Sequence, residues 1–236
     1  VKVFEGLYRD VNIALANDLA RLTDQLDVDV REAIEAANTQ PFCEIHTPGP
    51  GVGGHCIPYY PYFVLNWVDP DVEMLSTARG VNDAMPAFVV DRVAEGLGAW
   101  TPVESTEAGG ATTLTDGPVE PLDDATVAVL GLTYRAGVRE TRASPGIDIC
   151  ETLAERGATV LAADPLVNGD GLAATDVDVD DLPERAPDAV VLATAHQEFD
   201  AVDWDAIPPA VVVDGRDALD LRETDHRQYT VGRGWR

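Results

Sequence analysis

Apolar residues recur through the first 26 positions at spacings of four and three: Phe4, Tyr8, Val11, Leu15, Leu19, Leu22 and Leu26. That period puts them on one stripe of a single helix running from residue 2 to about 26. A second helical stretch over 29–38 places Val30, Ala33, Ile34 and Ala37 on one face. A glycine-rich loop spans about 46–58, and the segments 59–67 and 72–98 again read as helical. Asn82-Asp83 interrupts the second of these, and Pro86 either bends it or opens a new first turn. The pattern predicts a helix-rich unit over 1–98.

Beyond it the pattern changes. Residues 101–124 are poor in structure formers, which predicts a linker or exposed excursion over 99–124. From 125 to 236, a wholly apolar run at 127–130 and short, mostly apolar runs at 158–163, 188–193 and 211–213 read as strands, with a helix over 147–156. Continuous apolar strands alternating with helices mark a parallel sheet covered on both faces, so the expected class is α/β. Ligands bind at the carboxyl ends of such strands. Here those ends are Gly131 to Arg135, Asp164-Pro165, Thr194 to His196 and Asp214 to Arg216. No Gly-x-Gly-x-x-Gly turn follows the first strand, so a conventional dinucleotide site is not expected in this half.

Charge narrows the setting. The 236 residues hold 42 Asp plus Glu against 16 Lys plus Arg, a formal net charge of −26. Lys2 is the only lysine. Acidic residues spread along the whole chain suggest a halophilic, archaeal-like surface kept soluble at very high salt. Such a surface repels phosphate backbones, so no nucleic acid partner is expected. No stretch approaches the roughly 18 apolar residues of a membrane span. The three cysteines, Cys43, Cys56 and Cys150, match neither a zinc site nor a disulfide framework, which points to a reducing, cytoplasmic compartment and no metal. The chain opens on valine, already inside a helix, so it is expected to be a fragment of something longer or one product of a split gene.

The strongest chemical signal is the run Gly49-Pro50-Gly51-Val52-Gly53-Gly54-His55-Cys56-Ile57-Pro58. Glycine carries an entropic cost, so such a cluster implies a tight path, positive φ or close approach of backbone to a ligand. A thiol just past it can act as a nucleophile where something activates it or holds substrate against it. From the run alone, a glycine-rich surface turn beside a small buried cysteine is an equal reading. Asn12 and Asn17, five apart on the first helix, need not serve one site and suit capping of the neighbouring loop. Cys43 and Cys150 fall outside any motif and read as filler.

Three segments, Lys2 to Leu19, Gly49 to Pro61 and Gly131 to Pro145, resemble hallmark segments of the UDP-glucose/GDP-mannose dehydrogenase family, in the family's order. The nearest branch is the UDP-N-acetylmannosamine and UDP-N-acetylglucosamine 6-dehydrogenases. The resemblance implies a central helical domain that forms a homodimer through the 2–26 helix, followed by a Rossmann-like UDP-sugar-binding domain. The family's NAD-binding domain has no counterpart in the chain, so tight NAD binding is expected only in a full-length enzyme. The resemblance further implies oxidation of a sugar C6 alcohol to the acid through a cysteine thiohemiacetal and thioester, supplying uronic acids for surface polysaccharide or protein glycans. Cys56 matches the nucleophile and Lys2 the lysine that stabilises negative oxygen, with His55 and Asp10 as further catalytic candidates. Gly49, Gly51, Gly53 and Gly54, with Arg135, Arg142, Asp164 and Arg216, are the candidates for UDP-sugar binding. Gly6 and Tyr60 stand where the family commonly has asparagine and aspartate. A UDP-glucose 6-dehydrogenase fragment, and a catalytically silent UDP-sugar-binding subunit acting alone or with a separate Rossmann chain, remain the competing readings.

Overall fold

The computed structural model describes residues 1–67, 73–99 and 121–236. Six helices come first: α1 (Lys2–Ala20), α2 (Thr23–Leu26), α3 (Val30–Ala37), α4 (Tyr60–Leu65), α5 (Glu73–Asp83) and α6 (Met85–Ala99). They are followed by β1 (Thr126–Leu130), α7 (Pro145–Glu155), β2 (Thr159–Ala163), β3 (Thr175–Asp176) and α8 (Leu182–Arg185). The chain closes with β4 (Ala189–Leu192), β5 (Val211–Asp214), β6 (Arg227–Thr230) and β7 (Gly234–Trp235). The strands form one sheet in the order β3-β2-β1-β4-β5-β6-β7. All neighbours are parallel except β7, which runs antiparallel to β6. This is the expected helical unit followed by a Rossmann-like parallel sheet.

Burial on both faces explains why the central strands are apolar without alternation. On one face Val127, Val129, Val191, Val211 and Val213 pack with Val89, Val90, Val93, Ile149 and Leu153. On the other, Leu130, Val190, Leu192 and Val212 pack with Leu182, Phe199 and Ile207. Helix α6, which by hydropathy continues the helical unit, therefore lies in the sheet's own core. Pro86 stands in its first turn, where a missing N–H costs nothing. Most of the expected 99–124 linker lies outside the described residues.

The N-terminal helix is shorter than its periodicity suggests. It ends at Ala20, and a separate single turn, α2, follows after Arg21-Leu22 and closes at Asp27 with φ of 51°. Tertiary contacts account for the break. Asp24 accepts a hydrogen bond from the Tyr229 hydroxyl at 3.2 Å and pairs with Arg92 at 3.3 Å, drawing α2 toward the last strands. The apolar stripe read over residues 2–26 also faces outward: Phe4, Tyr8 and Leu15 on α1, and Leu22 and Leu26 beyond it, are exposed. The face turned inward consists of Leu7 together with Gly6, Asp10, Ala14, Ala16, Asn17 and Ala20, and apart from Leu7 these are small or polar residues that a hydropathy pattern weights little. Among the described residues no helix is long and apolar enough to cross a membrane.

Candidate functional site

Two asparagines of α1 hold the segment that leads into the glycine loop. Asn12 donates to the Glu44 carbonyl at 2.6 Å and accepts the His46 N–H at 2.7 Å. Asn17 accepts the Gly49 N–H at 2.9 Å while its own amide donates to Asn82 Oδ1. Buried Arg31 completes the support, donating to the carbonyls of Pro48 and Val231. On the far side the loop runs against the segment after β1. A Cβ on Gly53 would stand 2.6 Å from the Ala143 carbonyl oxygen, and one on Gly54 would stand 2.9 Å from the Tyr134 ring. Gly54 takes φ of 100° and donates its N–H to the Arg142 carbonyl at 2.9 Å. The glycines thus let the backbone pass closely between the helical unit and the carboxyl edge of the sheet.

Cys56 lies past this passage as a free, half-buried thiol. Its carbonyl accepts the amides of Tyr59 and Tyr60, turning the chain into α4. The nearby Cys56 thiol first, and desolvation second, push the Tyr60 phenol above its ordinary pKa. The Tyr60 ring lies over Gly6, where an added Cβ would come within 2.1 Å of Cδ2. Lys2 stands one helical turn before Gly6, at the exposed start of α1. His55 is half-exposed, with Nε2 3.1 Å from Glu140 Oε2, and this bond is the main cause of a lowered Glu140 pKa.

Several expected site residues have other employment. Asp10 is fully buried between α1 and α5, bonded to Arg79 and to Asn82 Nδ2 at 3.0 Å. Desolvation pushes its carboxyl up against the pull of Arg79. It braces the helices, and among the described residues it makes no hydrogen bond or ion pair with Cys56 or His55. Asp164 has a fully buried side chain: one oxygen accepts the amides of Leu132 and Thr133, the other those of Leu166 and Val167. A carboxylate so occupied organises strand ends and does not face a sugar. Arg216 donates to the Ala193 carbonyl at 2.7 Å, with a terminal nitrogen 3.2 Å from where a Cβ on Gly49 would lie. Desolvation there lowers its pKa to about 10. The amides of Gly49 and Gly54 are likewise engaged by Asn17 and Arg142, so neither is free for a diphosphate.

Arg135 and Arg142 remain exposed on the segment after β1, and neither makes an ion pair among the described residues. They flank Glu140, whose pKa the Arg142 charge also helps to lower. Hydropathy gave no notice of the Thr133 hydroxyl, 2.6 Å from His196 Nε2, although His196 stands at a strand end. Nor did it single out Arg31, a charge on the buried side of α3. The residues here do not fit a dinucleotide. The turn after β1 has its amides taken by Asp164, and Gly146 packs so closely on the Gly131 carbonyl that a Cβ would stand 2.1 Å from the oxygen. That is the place where a pyrophosphate would need free N–H groups.

Residues 1–84 match the model of the UDP-glucose/GDP-mannose dehydrogenase family, central domain, and residues 128–221 match that of the family's UDP binding domain. The chain belongs to this family of NAD-dependent UDP-sugar dehydrogenases. It is 38% identical to the UDP-N-acetyl-D-mannosamine dehydrogenase of Pyrococcus horikoshii, over 99% of the chain and 51% of that relative. It is 35% identical to the NDP-N-acetyl-D-galactosaminuronic acid dehydrogenase of Ralstonia nicotianae, over 91% of the chain and 46% of that relative. Among solved structures, the UDP-D-ManNAc dehydrogenase of P. horikoshii superimposes with a TM-score of 0.80 at 35% identity, covering 98% of this chain and 51% of the other. The UDP-glucose dehydrogenase of Pyrobaculum islandicum gives 0.78 at 26% identity, covering 100% and 50%. The chain spans about half the length of the curated relatives it matches, and that half is the central and UDP-binding domains.

Proposed function

We propose that this chain is the cysteine-bearing and UDP-sugar-binding half of an NAD-dependent nucleotide-sugar 6-dehydrogenase. Its substrate is a UDP-N-acetylhexosamine, UDP-N-acetylmannosamine foremost, and its product the uronic acid. The observation that carries the reading is the position of Cys56. A free thiol stands at the exit of the glycine passage, whose Gly54 N–H bonds the Arg142 carbonyl, and one turn before Tyr60, whose ring lies over Gly6 of α1. The relatives in P. horikoshii and R. nicotianae, both dehydrogenases of N-acetylated sugars, support an N-acetylated sugar over glucose.

In this reading C6 would give up two hydrides to nicotinamide, the first turning the alcohol into the aldehyde and the second turning the Cys56 thiohemiacetal into a thioester. The Cys56 sulfur adds to the aldehyde carbon between them, and water then cleaves the acyl–sulfur bond to release the acid and the free thiol. Lys2 places an ammonium beside the oxygen that becomes negative in both additions. Arg135 and Arg142 supply the local positive charge that a diphosphate needs on a chain of net charge −26. The oxidant is held by residues outside this chain. The outward apolar stripe of residues 4–26, on α1 and α2, is the homodimer face.

The test is made on the chain itself. UDP-N-acetylmannosamine should bind by calorimetry and slow alkylation of Cys56 by iodoacetamide, and Arg135→Ala should weaken both effects. No binding and no protection at millimolar ligand would overturn the reading, and tighter binding of UDP-glucose would overturn the substrate. In the protein joined to its nicotinamide-binding domain, Cys56→Ser should abolish acid formation while leaving UDP-sugar affinity within a few-fold.

A further inference from the structure

The break between α5 and α6 falls at Asn82-Asp83, and these two neighbours reach opposite ends of the loop that carries Cys56. Asn82 is buried, and its Nδ2 donates to both the main-chain carbonyl and Oδ1 of Asp10, each at 3.0 Å. A main-chain carbonyl can only accept, so the amide nitrogen is fixed on that side and Asn82 Oδ1 on the other. There it accepts Asn17 Nδ2 at 2.9 Å, which in turn leaves Asn17 Oδ1 facing the Gly49 N–H at 2.9 Å. Asp83 holds the far end. Its Oδ2 accepts the Tyr62 hydroxyl of α4 at 3.0 Å, and its Oδ1 accepts Arg79 Nε at 3.0 Å. Desolvation first, and the bond to Asp83 second, push the Tyr62 phenol above its ordinary pKa. Buried Arg79 also pairs with Asp10, so the two grips are joined. Met85, wholly buried in the sheet's core, follows directly on this turn and gives the pair a fixed base.

We propose that Asn82 and Asp83 are positioning residues for Cys56, one setting where its loop begins and the other where it ends. The proposal rests on the reading of Cys56 as the nucleophile. Glycines at 49, 51, 53 and 54 give the loop few side chains to pack, so its path depends on what holds its backbone. A sulfur that adds to a carbonyl carbon has to stand within about 0.5 Å of its productive place. Neither Asn82 nor Asp83 touches a reacting atom. A buried ion pair is weak evidence of stabilisation, and here Asp10 Oδ2 and Arg79 Nη2 find no partner among the described residues. What the network supplies is direction: each carboxamide in the relay has one orientation that ends with an oxygen on the Gly49 N–H.

Asn82→Leu removes the relay at similar volume, and Tyr62→Phe removes the other grip while keeping the ring. Amide exchange is read residue by residue by NMR in the chain itself, with the Val191 amide of β4 as internal reference. Losing one hydrogen bond should speed Gly49 exchange about tenfold in Asn82→Leu, with Val191 unchanged. Because Asn82 acts through Asn17, Asn82→Leu should add nothing in an Asn17→Ala background. Tyr62→Phe should speed exchange of the Tyr60 amide, which bonds the Cys56 carbonyl, by a few-fold. In the protein joined to its nicotinamide-binding domain, each variant should lower kcat by about 10- to 100-fold. The KM for UDP-N-acetylmannosamine should stay within a few-fold, because a displaced nucleophile still leaves the sugar bound. Parent-rate exchange at Gly49 in Asn82→Leu, a further acceleration in the Asn17→Ala background, or parent kcat in both variants would each overturn the proposal. If Asn82→Leu does not fold, Tyr62→Phe decides: parent-rate exchange at Tyr60 there overturns it. The exchange readouts involve neither sugar nor nicotinamide, so a chain that fails to bind UDP-sugars would remove the proposed function and leave this grip to be judged on its own.

Discussion

The carboxamide of Asn17 accepts the Gly49 N–H at 2.9 Å, so a single side chain of α1 anchors the glycine loop at its entry. The same group donates to Asn82 on α5, coupling three segments through one buried residue. Asn17→Ala leaves the Gly49 N–H without its partner, and an unsatisfied buried polar group costs about 1–3 kcal/mol. Urea unfolding should show a loss of that size, and hydrogen exchange at Gly49 should accelerate.

Asp29 caps α3 by accepting the Glu32 N–H at 3.0 Å and pairs with Arg233 at 2.6 Å. Desolvation pulls its carboxyl upward, but the amide bond and the guanidinium outweigh it and hold the folded-state pKa below 3.8. A carboxyl lowered on folding stabilises fully above its unfolded pKa and loses that stabilisation as pH falls through the folded one. Asp29→Asn keeps a cap of equal propensity and removes only the charge. The parent should therefore exceed the variant in unfolding free energy from neutral pH down to about 5, with the gap narrowing below about 4. A gap that stays constant with pH would exclude the charge as its source.

Leu15 lies mid-way along the outward stripe of α1 and is 49% exposed. With Phe4, Tyr8 and Leu22 it makes an apolar face that one chain leaves uncovered. Leu15→Glu should turn a dimer into a monomer in light scattering, with helix content unchanged. A parent chain that is already monomeric at tens of micromolar would remove the dimer face.

The excess of 42 carboxyl side chains over 16 cations opposes the compact state at low salt. The Debye length contracts from about 30 Å at 0.01 M to about 3 Å at 1 M, which screens that repulsion. The thermal midpoint should rise steadily between 0.1 M and 3 M potassium chloride. A flat response would show that the acidic surface is no adaptation to salt.

How much of this was legible in the sequence depended on what each residue buries against. β1, β4 and β5 showed as bare apolar runs because both their faces are covered. β6 did not, because its sequence Arg-Gln-Tyr-Thr is polar. Arg227 lies over the Trp235 ring at 4.2 Å and the Gln228 amide reaches the Leu219 carbonyl, contacts that only the folded chain supplies. The same limit governs the site. Cys56 stands out because glycines crowd around it. Asp164 and Asp10 looked like functional carboxylates because composition cannot tell an exposed acid from one consumed by amides or by a buried arginine. Tyr60 was visible as a departure from pattern, but its partner Gly6 lies on another helix, and no spacing rule connects them.

The burial of α6 within the sheet's core bears on how such chains can be recombined. The family's central domain ends at residue 84, and Val89, Val90 and Val93 just beyond it are wholly enclosed among sheet residues. A chimera that joins the helical part of one homologue to the sheet of another must cross over near Ala84. A junction placed after residue 99 would carry a foreign helix into a core shaped for its own.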